Sequence, residues 1–174
     1  MTGARETIAV YSEETIRTYG FNVQRNLVLV TLTPTTAALD LDTALREVGI
    51  RAGRLRMATA QGQPDGSLQI QVILEPEGPV EPSPTPAPIH AVQVRQPVEV
   101  ICLQGPHYGD RYGIAARALE ELDRAEIEVL TLGCTGASIY LAVDGGRADA
   151  AVEALGRAFV VPPSEPRGAP GTAP

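Results

Sequence analysis

Six prolines fall within the thirteen residues from Pro76 to Pro88, and this run limits the fold more sharply than any other feature. Proline has no backbone donor and its ring clashes with a preceding turn. The stretch is therefore neither a helix interior nor a paired strand. It reads as an extended, polyproline-like connector over 76–88. The 174 residues then divide into a stretch before the connector and a stretch after it. Either is long enough for one small unit. Residues 161–174, again rich in Pro and Gly, read as a disordered tail.

The later stretch has the clearer pattern. Val98-Glu-Val-Ile-Cys-Leu103 alternates as a strand does. Leu103 to Arg117 carries Gly105, Gly109 and Gly113 and reads as a loop leading into a helix. Ile114, Ala115, Ala118, Leu119, Leu122 and Ala125 then recur at helical spacing, with Glu120, Glu121, Asp123 and Arg124 on the opposite face. Ile127–Leu132 predicts a second strand, Gly133–Ala137 a turn and Ser138–Val143 a third strand. Asp144-Gly-Gly146 opens a second helix that turns Ala148, Ala151, Val152, Leu155 and Phe159 inward. The order is β-α-β-β-α, and one more strand would complete a ferredoxin-like sandwich.

Four blocks in this order carry a resemblance: Gly113-Ile-Ala-Ala-Arg117 before the amphipathic helix, Ala125-Glu-Ile-Glu128, Ser138-Ile-Tyr-Leu-Ala-Val143 and Ala151-Val-Glu-Ala-Leu-Gly-Arg-Ala-Phe159. Together they resemble the ACT domain that closes aspartokinases.

The earlier stretch repeats the same order in diverged form. Leu27-Val-Leu-Val-Thr-Leu32 is a continuous apolar run that suits a central strand. Leu41, Ala44, Leu45 and Val48 mark a helix, with Asp40 as its N-cap and Gly49 at its end. Arg54–Ala60 and Leu68–Leu74 alternate as strands around a Pro64-Asp-Gly66 turn. His90–Arg95 resumes as a strand. The expectation is thus an α+β protein of two ferredoxin-like βαββαβ units of ACT type. Their sheets are antiparallel, with helices on one face, and the first unit lacks its second helix. The units span 6–96, including the connector, and 97–160. Upstream, Glu6–Tyr11 reads as a short strand, and Ser12–Thr15 as the cap of a short helix reaching Tyr19.

Composition narrows the function. The formal net charge of −7 disfavours nucleic acid and anionic membrane. No apolar run is long enough to span a bilayer, and no signal peptide is legible. The two cysteines, Cys102 and Cys134, form neither a disulfide framework nor a metal set, so a cytoplasmic setting is expected. All fourteen basic residues are arginine, so lysine chemistry is excluded. No kinase signature, phosphate loop or catalytic triad is legible. A non-catalytic protein without cofactor or metal is expected.

The resemblance implies a regulatory module that binds a small amino acid such as lysine or threonine. By that resemblance the effector site is the loop between first strand and first helix of the second unit, at Gln104, Gly105, Gly113, Ile114 and Ala115. Glu128 stands where the family usually has Asn. If it faced the site, it would favour a cationic ligand over an acidic one. The first unit has Pro34-Thr-Thr36 in place of the glycine, and Arg51 at the Asn-equivalent position. These departures support an alternative, a structural or assembly module that acts through protein contacts. A homodimer and a separate catalytic kinase subunit are the partners implied. Among the remaining polar residues, His107 reads as solvent-facing, with ligand contact or acid–base work as the alternative, His90 falls in a predicted strand, and Cys134 reads as a buried packing residue. Asp40, Asp42 and Asp144–Gly146 read as helix-initiating groups. Arg51, Arg54 and Arg56 read as a solvated strand face.

Overall fold

A computed structural model describes residues 15–35, 40–47, 52–78, 89–106, 108 and 112–162. Two strands dominate it. β2 (Gly20–Pro34) and β5 (Ile89–Gln104) are antiparallel over their whole lengths and form the spine of a six-stranded sheet. β4 (Leu68–Pro76) and then β3 (Ala52–Gly62) extend it from one half of β2. β7 (Ser138–Asp144) and then β6 (Thr131–Cys134) extend it from the far half of β5. The order is β3-β4-β2-β5-β7-β6, with every pair antiparallel.

Read by halves, each side has four strands in ferredoxin-like order. In the first, β5 stands beside β2, then β4 and β3. In the second, β2 stands beside β5, then β7 and β6. The two halves therefore share both spine strands. His90–Arg95 and Val98–Leu103, expected as separate strands, are one strand because Gln96-Pro97 sits at a pairing irregularity. There Leu27 pairs with Val98 and Leu29 with Arg95. A bulge tolerates a residue with no N–H to donate. The Gln96–Pro97 peptide is cis, and Asn26, facing the same irregularity, has φ 57.

This shift changes which residues face which way. Before it, Phe21 and Val23 of β2 pack toward the second unit's helices. After it, Val28, Val30 and Leu32 pack on α1 (Leu41–Glu47) through Ala44 and Leu45. On β5, Ile101 and Leu103 meet α2 (Ile114–Arg124) and α3 (Ala148–Leu155). The opposite parity, Leu27, Leu29, Ile73, Val98, Val100 and Ala142, forms a third cluster on the helix-free face. The sheet curls around that cluster until its two edges meet. A Cβ on Gly133 of β6 would stand 2.8 Å from Met57 Sδ of β3.

Two short strands lie apart. β1 (Ile16–Arg17) pairs in parallel with β8 (Phe159–Val160). Residues 16 and 17 are thus extended where a helix was expected, because the Ile16 and Thr18 N–H groups donate to the Ala158 and Val160 carbonyls after α3. The expected strand at 127–132 begins only at Thr131. On α2, Leu119 is 40% exposed, whereas Glu121 is buried and held by Arg117 at 3.0 Å and Arg124 at 2.7 Å. Both reverse the inward and outward assignment read from spacing. Glu99, on the parity of Ile101 and Leu103, is buried at the start of α3. Its carboxylate accepts the Ala148 N–H at 2.8 Å and an Arg25 bond at 2.9 Å. Burial pushes its pKa up, but the Ala148 and Arg25 bonds outweigh burial and leave it below the ordinary value. The segments 6–14, 79–88 and 163–174 lie outside the described residues.

Candidate functional site

The loop named by the sequence has two ends with different fates. At the helix end, Gly113 is the N-cap of α2, with φ 84 and no side chain to satisfy the first turn. That turn carries no acidic residue, and nothing stands within 4 Å of a Cβ built on Gly113. Among the described residues no side chain caps the first-turn N–H groups of α2, which lie at the positive end of the helix dipole. Ile114 turns its side chain into the core and Ala115 packs against it, so both offer backbone to a ligand. A carboxylate fits such an end chemically.

At the strand end the chain satisfies itself. The Gln104 carbonyl accepts the Thr18 hydroxyl at 2.6 Å and the Tyr19 N–H at 2.7 Å. The Gly105 N–H donates to the Ala137 carbonyl at 3.2 Å. Tyr108 lies on Gly105 so closely that a Cβ there would be 2.1 Å from Cε1 of the ring. Its ring meets Phe159 edge-on, with centroids 6.4 Å apart. The hydroxyl is buried beside Thr18 without a hydrogen bond of ordinary geometry. Burial pushes the phenol above its usual range, with Thr18 opposing. Gly105 is thus required by the chain's own tyrosine, and Gly113 by the left-handed turn into α2.

Glu128 does not join this loop. It follows α2 and pairs with Arg95 at 3.2 Å, beside an Arg95–Asp144 pair at 2.5 Å. Asp144 is opposite Val98 in the ladder, whereas Ser138 is opposite Gln104. Six residues of strand, roughly 20 Å, separate the two ends. The cationic preference argued from Glu128 therefore loses its basis. Of the six residues named, the structure groups Gly113, Ile114 and Ala115 as an open helix start. Gln104 and Gly105 form a sealed strand end, and Glu128 stands apart.

The remaining candidates are structural. Asp40 accepts the Thr43 hydroxyl at 2.5 Å at the start of α1, and Asp42 pairs with Arg46 at 2.7 Å. Asp144–Gly146 turns into α3. Arg56 pairs with Glu75, and Arg54 is exposed. Cys102 is buried, but Cys134, expected to pack inside, is exposed at the last position of β6; desolvation raises both thiols above their ordinary value, which disfavours the reactive thiolate. His90 is exposed on β5, while His107 and Arg51 lie outside the described residues. Among the described residues no His, Cys, Asp and Glu set could hold a metal ion, and no helix is long and apolar enough to cross a membrane. Sequence reasoning missed the closure of the loop by Thr18, Tyr19 and Tyr108. Only Tyr108 carried a local signal, as an aromatic residue inside a glycine loop.

No family model matches this chain, and no curated protein matches it. Solved structures do. The ligand-free regulatory subunit of aspartate kinase from Thermus thermophilus superposes with a TM-score of 0.64 at 16% identity, over 81% of this chain and 97% of that one. A structure of aspartokinase alpha and beta subunits gives 0.60 at 12% identity, over 81% of this chain and 97% of that one. Escherichia coli aspartokinase III in complex with lysine and aspartate gives 0.57 at 15% identity, over 84% of this chain and 34% of that one. The shared spine, the curled antiparallel sheet and the helices on its outer side are thus the ACT-type fold of aspartate kinase regulatory regions.

Proposed function

We propose that this chain is a non-catalytic regulatory module that binds a small amino acid through the start of α2. The bare, uncapped α2 N-terminus beside Gly113 carries the reading. The ligand carboxylate lies on the N–H groups of Ile114 and Ala115, whereas the Gln104 carbonyl and the Gly105 N–H at the other end of the loop are engaged within the chain. Lysine and threonine are the first candidates, and the lysine bound to the aspartokinase III structure supports testing lysine first. Binding at a module of this kind acts by shifting an equilibrium between arrangements of the module or of its partner. A separate catalytic kinase subunit is the partner that fits, since a regulatory subunit shares the fold over nearly its whole length.

A thermal-shift screen against the twenty amino acids tests the reading. A ligand at a hundred times its dissociation constant adds about 2.7 kcal/mol. A flat response across all twenty contradicts it.

One observation favours a second reading, an assembly module that has lost its ligand. The strand end of the loop is filled by Thr18, Tyr19 and Tyr108, as though the ligand's place had been taken over by the chain. Under either reading the protein associates with itself. Leu55 of β3 is exposed, and Tyr112 and Leu119 are exposed beside and on α2, apolar groups that association would cover. Light scattering at tens of micromolar should give a homodimer or larger. The monomer mass of 18.4 kDa alone overturns self-association.

A further inference from the structure

The helix-free face holds a cavity that owes nothing to the α2 loop. It lies where the sheet curls shut between β3 and β4 on one side and β6 and β7 on the other, with a volume of about 1010 Å³. A smaller pocket of about 310 Å³ adjoins it and shares Gln71 and Leu130. Nearest the spine the smaller pocket is lined by apolar Leu29, which packs with Ile73 in the third cluster. Two residues further along each strand the lining becomes polar. Thr59 pairs with Gln71, Gln71 with Thr31, and Thr31 with Gln93, a row of hydroxyls and amides across four strands. Side chains two apart on a strand share a face, so this row continues that lining.

Three details point to a ligand. First, among the described residues the hydrogen bonds across the cavity are long: Gln71 Nε2 donates to the Leu130 carbonyl at 3.4 Å, and the Thr59 and Thr131 hydroxyls are 3.5 Å apart. Such distances are at the limit of hydrogen bonding and leave the groups with capacity to spare. Second, Arg56 is the sole charged residue lining the larger cavity among the described residues; its Nη2 pairs with Glu75, and its Nε is buried with no hydrogen-bond partner. Third, no carboxylate lines that cavity, in a chain whose net charge is −7. A cavity of this size with few but convergent polar groups suits a small molecule, and an unpaired guanidinium nitrogen selects an anion.

We propose that this cleft is a binding site for a small organic carboxylate bearing hydroxyl or amide groups. Its carboxylate lies against the Arg56 guanidinium, and its other polar groups take Gln71, Thr59 and Thr131. Because Gln71 and Thr131 come from opposite halves, the ligand replaces two weak links with stronger ones and ties the halves together.

The test is a titration of the ¹⁵N-labelled protein with gluconate, malate, citrate and glutamine, with sorbitol as the uncharged control. Saturable shifts are expected at Gln71, Thr131 and Gly133 for at least one carboxylate and not for sorbitol. Arg56→Gln and Gln71→Leu should each weaken that binding at least tenfold, while Ala115→Asp leaves it unchanged. Should Arg56→Gln fail to fold for want of its Glu75 pair, Gln71→Leu carries the test alone. No saturable shift with any of the four carboxylates overturns the proposal. Equal affinity in Gln71→Leu, or shifts confined to Gly113–Ala115, also overturns it.

Discussion

The two halves of the sheet have the same strand order and unequal cover. In the second half, α2 and α3 press Ile114, Ala118, Leu122, Ala151 and Leu155 onto Ile101, Leu103, Ile139 and Leu141, and Phe159 and Tyr108 close the end. In the first, among the described residues, α1 alone brings Ala44 and Leu45 against Val28, Val30, Leu32, Val72 and Leu74. The spine strands are common to both, so the thinner half is held by continuity of β2 and β5 with the thicker one. A repeat can therefore lose cover on one side and keep its fold, provided its central strands are shared. Burial of apolar surface is the main favourable term in folding, and here it is concentrated in the second half.

Core truncation should expose this inequality most strongly. Leu122→Ala opens a fully buried site between α2 and the sheet and should cost about 3–5 kcal/mol. Leu45→Ala, on the short and partly exposed α1, should cost about 2 kcal/mol. Urea unfolding of both variants gives the two values, and equal losses would break the comparison.

Glu99 sharpens it from the polar side. Glu99→Gln weakens the links of β5 to α3 and to Arg25 and should cost about 1–3 kcal/mol. The pH dependence has a definite sign. The folded pKa lies below the ordinary 4.5, so the stabilisation is complete above that value and is lost as pH falls through the folded one. Thermal midpoints of the wild type should therefore fall more steeply than those of Glu99→Gln between about pH 5 and pH 3. Parallel curves would show that Glu99 is not the group responsible.

The smallest effect belongs to Tyr108. Tyr108→Phe keeps the ring on Gly105 and Phe159 and removes a buried hydroxyl that has no regular partner. It should be neutral or stabilising by up to about 1 kcal/mol. A loss above that size would show that the bond to Thr18 forms in solution.

Much of this fold is legible in the chain because local signals agree with it. The alternation of Val98–Leu103, the helical spacing of Ile114, Ala118 and Leu122, and the Pro64-Asp-Gly66 turn each depend on near neighbours in sequence. What escaped depends on partners far away. Ile16 and Arg17 are a strand only because Phe159 and Val160 lie beside them. Gln96-Pro97 reads as a break, yet β5 runs through it because β2 bulges at the same level. Glu121 reads as outward because it is charged, yet two arginines one turn away neutralise it in place. The loop showed its glycines but not its occupant. Spacing places Gly105 and Gly113, whereas the closure of one by Tyr108, Thr18 and Tyr19 needs three separate parts of the chain. Glu128 fell next to the site in an alignment of motifs and at the far end of β5 in space.

The claim that a carboxylate-bearing amino acid docks on the start of α2 has a direct test. Gly113→Val would confound it, since φ 84 strains a β-branched residue whatever the space around it. Ala115→Asp is cleaner. It leaves the backbone alone and adds a negative charge to the first turn, beside the N–H groups the ligand carboxylate would take; because Ala115 is half-buried against the core, the variant's thermal midpoint is checked before its binding is read. Calorimetry with lysine and threonine on the wild type and on Ala115→Asp decides the matter. The account predicts saturable binding by the wild type and at least a tenfold weaker affinity in the variant. Equal affinity in both proteins would contradict it.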